Sequence, residues 1–93
     1  MIIELKQFGQ ILTSRDNGRE AYLALKSNLE NIDKKIIIDF DGVTISPGWA
    51  DEFLTPLFKR FNNNLYLRKT KNPSVKATLE TLEEVNKIKF NKK

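Results

Sequence analysis

The chain is built from short apolar runs that alternate with longer segments whose apolar residues recur every three or four positions. Ile2, Ile3 and Leu5 form a first β-like run. Phe8-Gly9 reads as a turn, and Ile11-Leu12 is a second short run expected to pair back on the first. Thr13-Ser14 offers an N-cap, and a helix is predicted from there to about Asn31. Tyr22, Leu25, Leu29 and Ile32, with Ala21 beside them, follow helical spacing and mark one buried face. Gly18 either weakens the first turns or lets this helix approach the sheet closely. Asn31-Ile32-Asp33 closes the helix.

Ile36-Ile37-Ile38 places three β-branched residues in a row without polar alternation, the pattern of a strand covered on both faces. Asp39 to Gly42 leave that strand. Ser46 then serves as a cap and Pro47 as a first helical position. Ala50, Phe53, Leu54, Leu57, Phe58 and Phe61 give the clearest helical period in the chain. Pro56 lies inside it and is expected to bend the helix or divide it near Thr55. Asn62-Asn63-Asn64 is a turn, Leu65-Tyr66-Leu67 a further strand, and Asn72-Pro73 the start of a third helix. That helix has Val75, Leu79, Leu82, Val85 and Ile88 on its buried face, and the tail Asn91-Lys92-Lys93 is expected to fray. Strands alternating with helices predict an α/β fold in one domain over residues 1–93: a small, mixed but largely parallel sheet of four to five strands with about three helices.

Composition narrows the chemistry. The 93 residues contain no Cys and no His. That removes thiol nucleophiles, disulfides, zinc sites built on those ligands and His-based proton transfer. The N-terminus does not read as a signal peptide, and no apolar run approaches the ~20 residues of a membrane span. A cytoplasmic protein without a membrane partner is the expectation. The net charge of +4 permits an acidic partner without demanding one. Between Glu52 and Glu80 there is no acidic residue, while Lys59, Arg60, Arg68, Lys69, Lys71 and Lys76 all fall there. This basic 59–76 segment allows a nucleic-acid reading, but it carries no recognisable nucleic-acid motif, and Phe61 and Tyr66 fit the core better than a stacking platform. Asp39, Asp41, Asp51 and Glu52 form a contrasting acidic corner.

Asp39-Phe40-Asp41-Gly42-Val43 after an apolar strand resembles the first motif of the haloacid-dehalogenase superfamily. In that family the first Asp attacks a phosphoryl group, the second moves a proton, and magnesium bridges carboxylate and phosphate. Carried over, the resemblance implies a magnesium-dependent phosphatase using Asp39 and Asp41. The rest of the chain departs from that pattern. Glu83-Glu84, the only adjacent acidic pair after Glu52, falls in the middle of the third helix, and the strand end Tyr66-Leu67-Arg68-Lys69 offers no Ser or Thr before Thr70. The plain reading is that Asp39 bonds loop amides and Asp41-Gly42 makes a turn.

A second resemblance covers more of the chain, roughly residues 8–61. Phe8-Gly9, Ser14-Arg15, the amphipathic helix, Asp39-Phe40-x-Gly42-Val43, Ile45-Ser46-Pro47 and Ala50-Asp51-Glu52-Phe53 resemble the STAS-like domains related to anti-sigma-factor antagonists. The resemblance implies a non-catalytic protein-interaction and regulatory module without cofactor or metal. It also implies a histidine-kinase-type ATPase as partner, in a switch where a Ser or Thr of the strand-to-helix loop is phosphorylated. A phosphate adds about −1.5 to −2 charges there, and a helix N-terminus tolerates it. Gly48 stands where relatives often carry Ser, and Trp49 where Phe is more usual, which leaves Ser46 as the phospho-acceptor expected here, or as a cap alone. The partner-binding loop implied is Asp39, Asp41, Thr44, Ser46, Gly48, Trp49, Asp51 and Glu52, with Arg15 as a further partner contact. Trp49 has two readings: a core side chain at the edge of the buried helical face, or a partner anchor.

Overall fold

Three polar side chains start the three helices, at the positions the sequence marks for them. Ser14 Oγ accepts from the Asn17 N–H at 3.0 Å, Ser46 Oγ from the Trp49 N–H at 3.3 Å, and Asn72 Oδ1 from the Ser74 N–H at 2.9 Å. Each bond satisfies a backbone donor that the first helical turn leaves without a partner. The computed structural model describes residues 1–30 and 34–92. Along them run β1 (Ile2–Glu4), β2 (Ile11–Leu12), α1 (Arg15–Lys26), β3 (Ile36–Asp39), β4 (Thr44–Ile45), α2 (Pro47–Phe61), β5 (Leu65–Leu67), α3 (Pro73–Asn86) and β6 (Asn91–Lys92). The chain is α/β, as predicted.

The main sheet has the order β1-β3-β5-β6, with every pair parallel. Each crossover therefore steps the same way across the sheet. Right-handed connections that all step one way place their helices on one face. The packing agrees: α1 lies against α2, and α2 against α3. Ile3, Ile36, Ile38, Leu65 and Leu67 point into this single core with Phe53, Leu54, Leu57, Val75 and Leu79. Ile2, Ile37 and Tyr66 are in register on the opposite face, where Ile2 is 53 % exposed and Ile37 half-buried. The expectation that Ile36–Ile38 is covered on both faces is thus corrected. The run is uniformly apolar, yet among the described residues the winding puts no helix on the face of Ile2, Ile37 and Tyr66.

Other expectations change with the tertiary context. β2 does not return to β1; it pairs in parallel with β4, Ile11 opposite Thr44 and Leu12 opposite Ile45. A 3-10 turn at Leu5–Phe8 and Gly9, at φ 126°, carry the chain away from β1 first. α1 ends at Lys26 and continues as a 3-10 turn, Ser27–Leu29. Arg60 on α2 closes that end, Nη2 donating to the Leu29 and Glu30 carbonyls at 2.8 Å each. The placement of Ile32 and the closure expected at Asn31–Asp33 lie outside the described residues. Pro56 does not divide α2, which runs unbroken from Pro47 to Phe61 with Phe53, Leu54 and Leu57 fully buried around it. Val85 is 72 % exposed rather than buried, because α3 turns its core stripe through Val75, Thr78, Leu79 and Leu82 and ends at a left-handed Lys87. Of the tail expected to fray, Asn91 and Lys92 form a strand, and Lys93 lies outside the described residues. Phe90 is buried edge-on against Phe58, 5.5 Å between ring centres, and β6 follows it onto β5.

Candidate functional site

The carboxyl ends of β3 and β5 meet a small two-stranded ribbon and the starts of α2 and α3. Asp39 ends β3 with both oxygens engaged. Oδ1 accepts from the Asp41 N–H at 2.9 Å, and Oδ2 from Arg68 Nη1 at 3.0 Å. Asp41 and Gly42 make the turn, with Gly42 at φ 76°, a left-handed conformation that glycine adopts without a steric penalty. β4 is then clamped from two sides. The Thr44 and Ser46 N–H groups donate to the Gln10 and Leu12 carbonyls at 2.8 and 2.9 Å. From α3, Asn72 Nδ2 donates to the Val43 carbonyl at 3.0 Å, and the buried Thr78 hydroxyl to the Ile45 carbonyl at 3.1 Å. The loop that presents Thr44 and Ser46 is held along its length.

The start of α2 is set by a close approach to α1. A Cβ on Gly18 would lie 2.4 Å from the Trp49 carbonyl oxygen and 2.9 Å from Trp49 Cα. Only glycine lets the two backbones come this near. The close approach expected of Gly18 is therefore real, but its neighbour is α2 and not the sheet. One turn earlier, Arg15 reaches across Gly48, whose Cα has no side chain to block it; a Cβ there would sit 3.0 Å from Arg15 Cγ. The guanidinium lands on Asp51, Nη1 to Oδ2 at 3.0 Å, with Glu52 at 3.6 Å. Asp51 Oδ1 also accepts from the Thr55 hydroxyl at 2.8 Å and from Asn86 Nδ2 at 3.4 Å. Burial pushes the Asp51 carboxyl up, but the bonds from Arg15, Thr55 and Asn86 and the Arg15 charge outweigh it and hold the group below its ordinary value. The same hydrogen bond to Asp51 raises Arg15.

The expected site residues thus divide into three groups. Arg15, Gly48, Asp51 and Glu52 form one surface beside the Ser46 cap, with Thr44 exposed just before it. Asp39 pairs with Arg68, with Asp41 next to it in the turn, whereas Asp51 and Glu52 share Arg15, so the carboxylates expected as one acidic corner meet two different cations. Trp49 belongs to the core: it is 1 % exposed and stacked on Phe53 at 4.9 Å, with Phe8 at 6.1 Å. It supports the surface above it instead of anchoring a partner. Sequence reasoning missed Arg68 as the counter-charge of Asp39 and Thr78 as the tether of β4. Thr78 sits within the apolar stripe of α3, and its place there was the signal available.

Neither alternative chemistry gains support from this arrangement. Glu83, half of the downstream acidic pair, bonds the Phe90 N–H and Lys92 Nζ at 2.9 Å each and builds the chain end. Among the described residues no three His, Cys, Asp or Glu side chains gather as a metal set. In the basic 59–76 segment, Phe61 is buried and Arg60 is engaged with the end of α1, so no aromatic row is presented for base stacking. Among the described residues no helix is long and apolar enough to cross a membrane.

A family model described as a STAS-like domain of unknown function matches residues 17–74. The match runs from Asn17 in α1 to Ser74 at the start of α3; it takes in β3, β4, α2, β5, the carboxylates Asp39, Asp41, Asp51 and Glu52 and the Gly18–Trp49 contact, while β2 and Arg15 lie before it. No curated protein and no solved structure matches the chain.

Proposed function

The chain belongs to the STAS-like family, and from that premise we propose that it is a non-catalytic protein-interaction module of a partner switch, with an ATPase-type kinase as its partner. The observation that carries the reading is the state of Asp39. The residue best placed for nucleophilic chemistry has both oxygens committed, to the Asp41 amide and to Arg68, in the manner of a corner-building carboxylate. What remains presented is a rigid surface. Thr44, Ser46, Arg15, Asp51 and Glu52 stand on a clamped loop and on two helices in close contact, so these groups are already held in place.

Ser46 and Thr44 are the hydroxyls a kinase would meet there. Ser46 is half-buried and already caps α2, whereas Thr44 is exposed. A phosphate on Ser46 would sit at the N-terminus of a 15-residue helix, where the macrodipole favours negative charge. On this surface it would change the charge that a partner reads by about −1.5 to −2.

The test is affinity capture by the folded protein, comparing wild type with Glu52→Lys and with Ser46→Asp. Capture of an ATPase-type kinase by wild type and its loss on either variant is the expected result. Magnesium-dependent turnover of an aryl phosphate that disappears in Asp39→Asn would overturn the proposal.

A further inference from the structure

Beyond the carboxyl end of β5 lies a cleft of about 360 Å³ that shares no residue with the Arg15–Asp51 surface. Four cations line it, Arg68, Lys69, Lys76 and Lys92, with the Thr70 hydroxyl and one carboxylate, Glu80. Their state differs in a way that matters. Arg68 and Lys92 are held in place by Asp39 and Glu83, at 3.0 and 2.9 Å. Lys69 and Lys76 make no ion pair among the described residues. Two cations are thus fixed in position and two are left with charge to spend. Nε and Nη2 of Arg68 also make no hydrogen bond among the described residues, since only Nη1 is used on Asp39.

We propose that this cleft binds a small ligand through a phosphate group carrying at least two negative charges. A dianion in water is matched by two cations plus hydrogen-bond donors, which Lys69, Lys76, the remaining guanidinium edge of Arg68 and the Thr70 hydroxyl supply. Arg68, Lys69 and Thr70 follow directly on β5, so the cleft opens at the carboxyl edge of the sheet. The size falls at the lower end of the ~300–1,000 Å³ typical of small-molecule pockets. Asp39 and Asp41 line the adjoining cleft of about 330 Å³, which shares Arg68, Lys69 and Thr70 with the first. Their charge confines the phosphate to the side of Lys76 and Lys92.

The inference is tested with isotopically labelled protein titrated with pyrophosphate at constant ionic strength, following backbone amide shifts. Saturable shifts confined to Arg68–Lys76 and Lys92 are expected. The Lys69→Glu/Lys76→Glu double variant should weaken binding by about tenfold or more, and Glu80→Gln should strengthen it. The second variant keeps the test sound if the first fails to fold. Absence of a saturable shift overturns the proposal, as does binding indifferent to Glu80→Gln. A single-stranded oligonucleotide that binds more tightly than pyrophosphate, with shifts extending to Lys59 and Arg60, also overturns it, in favour of a nucleic-acid surface.

Discussion

Replacing Gly18 with Ala sets two effects of known size against each other. In an isolated helix the change is favourable by about 0.8–1 kcal/mol. Here the new Cβ would lie 2.4 Å from the Trp49 carbonyl oxygen and 2.9 Å from its Cα. Ordinary contact needs roughly another 1 Å. The obstructing atoms are backbone, so no rotamer change relieves them and the two helices must separate. Overpacking of this kind costs about 1–3 kcal/mol, and backbone resistance places it in the upper half of that range. The net expectation is a loss of about 1–2 kcal/mol, or roughly 4–16 °C in Tm for a domain of this size. Separation also draws Arg15 away from Asp51, so capture of the partner proposed above should fall with stability. Urea unfolding of wild type, Gly18→Ala and the exposed control Ala24→Gly measures both terms. The control should lose about 1 kcal/mol through helix propensity alone. A Gly18→Ala protein as stable as wild type, or more stable, would refute the claim that this glycine exists for close approach.

Three further outcomes follow from the same structure. Because Asp51 is held below its ordinary value, its contribution is fully present above the unfolded pKa, about 4, and is lost as pH falls through the folded value. The stability gap between wild type and Asp51→Asn should therefore be largest near neutrality and close in acid, as urea melts at pH 7 and pH 3 would show. Thr78→Val should cost about 1 kcal/mol by removing the buried bond to the Ile45 carbonyl, and hydrogen exchange should speed up in β4 ahead of the rest of the chain. Ile3→Ala should cost about 2–5 kcal/mol while Ile2→Ala stays within about 0.5 kcal/mol; equal losses in thermal melts would contradict a sheet with helices on one face only.

Much of the architecture was legible because it rests on local chemistry. Ser14, Ser46 and Asn72-Pro73 mark helix starts through bonds made within a single turn. The period of Ala50 to Phe61 needs only the geometry of a helix. The elements that escaped are those whose partners are distant in sequence. β4 is two residues long, and its strand character depends on Gln10 and Leu12 on one side and Asn72 and Thr78 on the other. β6 is polar and forms because Phe90 is drawn into the core before it. At the candidate site, the neighbours Asp51 and Glu52 were readable as a pair, but their cation comes from another helix.

The sequence by itself determined the alternation of strands and helices, the three helix starts and the residues of the strand-to-helix loop. Each depends on contacts between near neighbours, and the side-chain types declare them. Only the tertiary structure decided which carboxylate meets which cation, that Trp49 is core, that the described helices gather on one sheet face, and that four cations converge beyond β5. Those outcomes follow from the order in which the strands add to the sheet, and that order is set by packing among residues far apart in the chain.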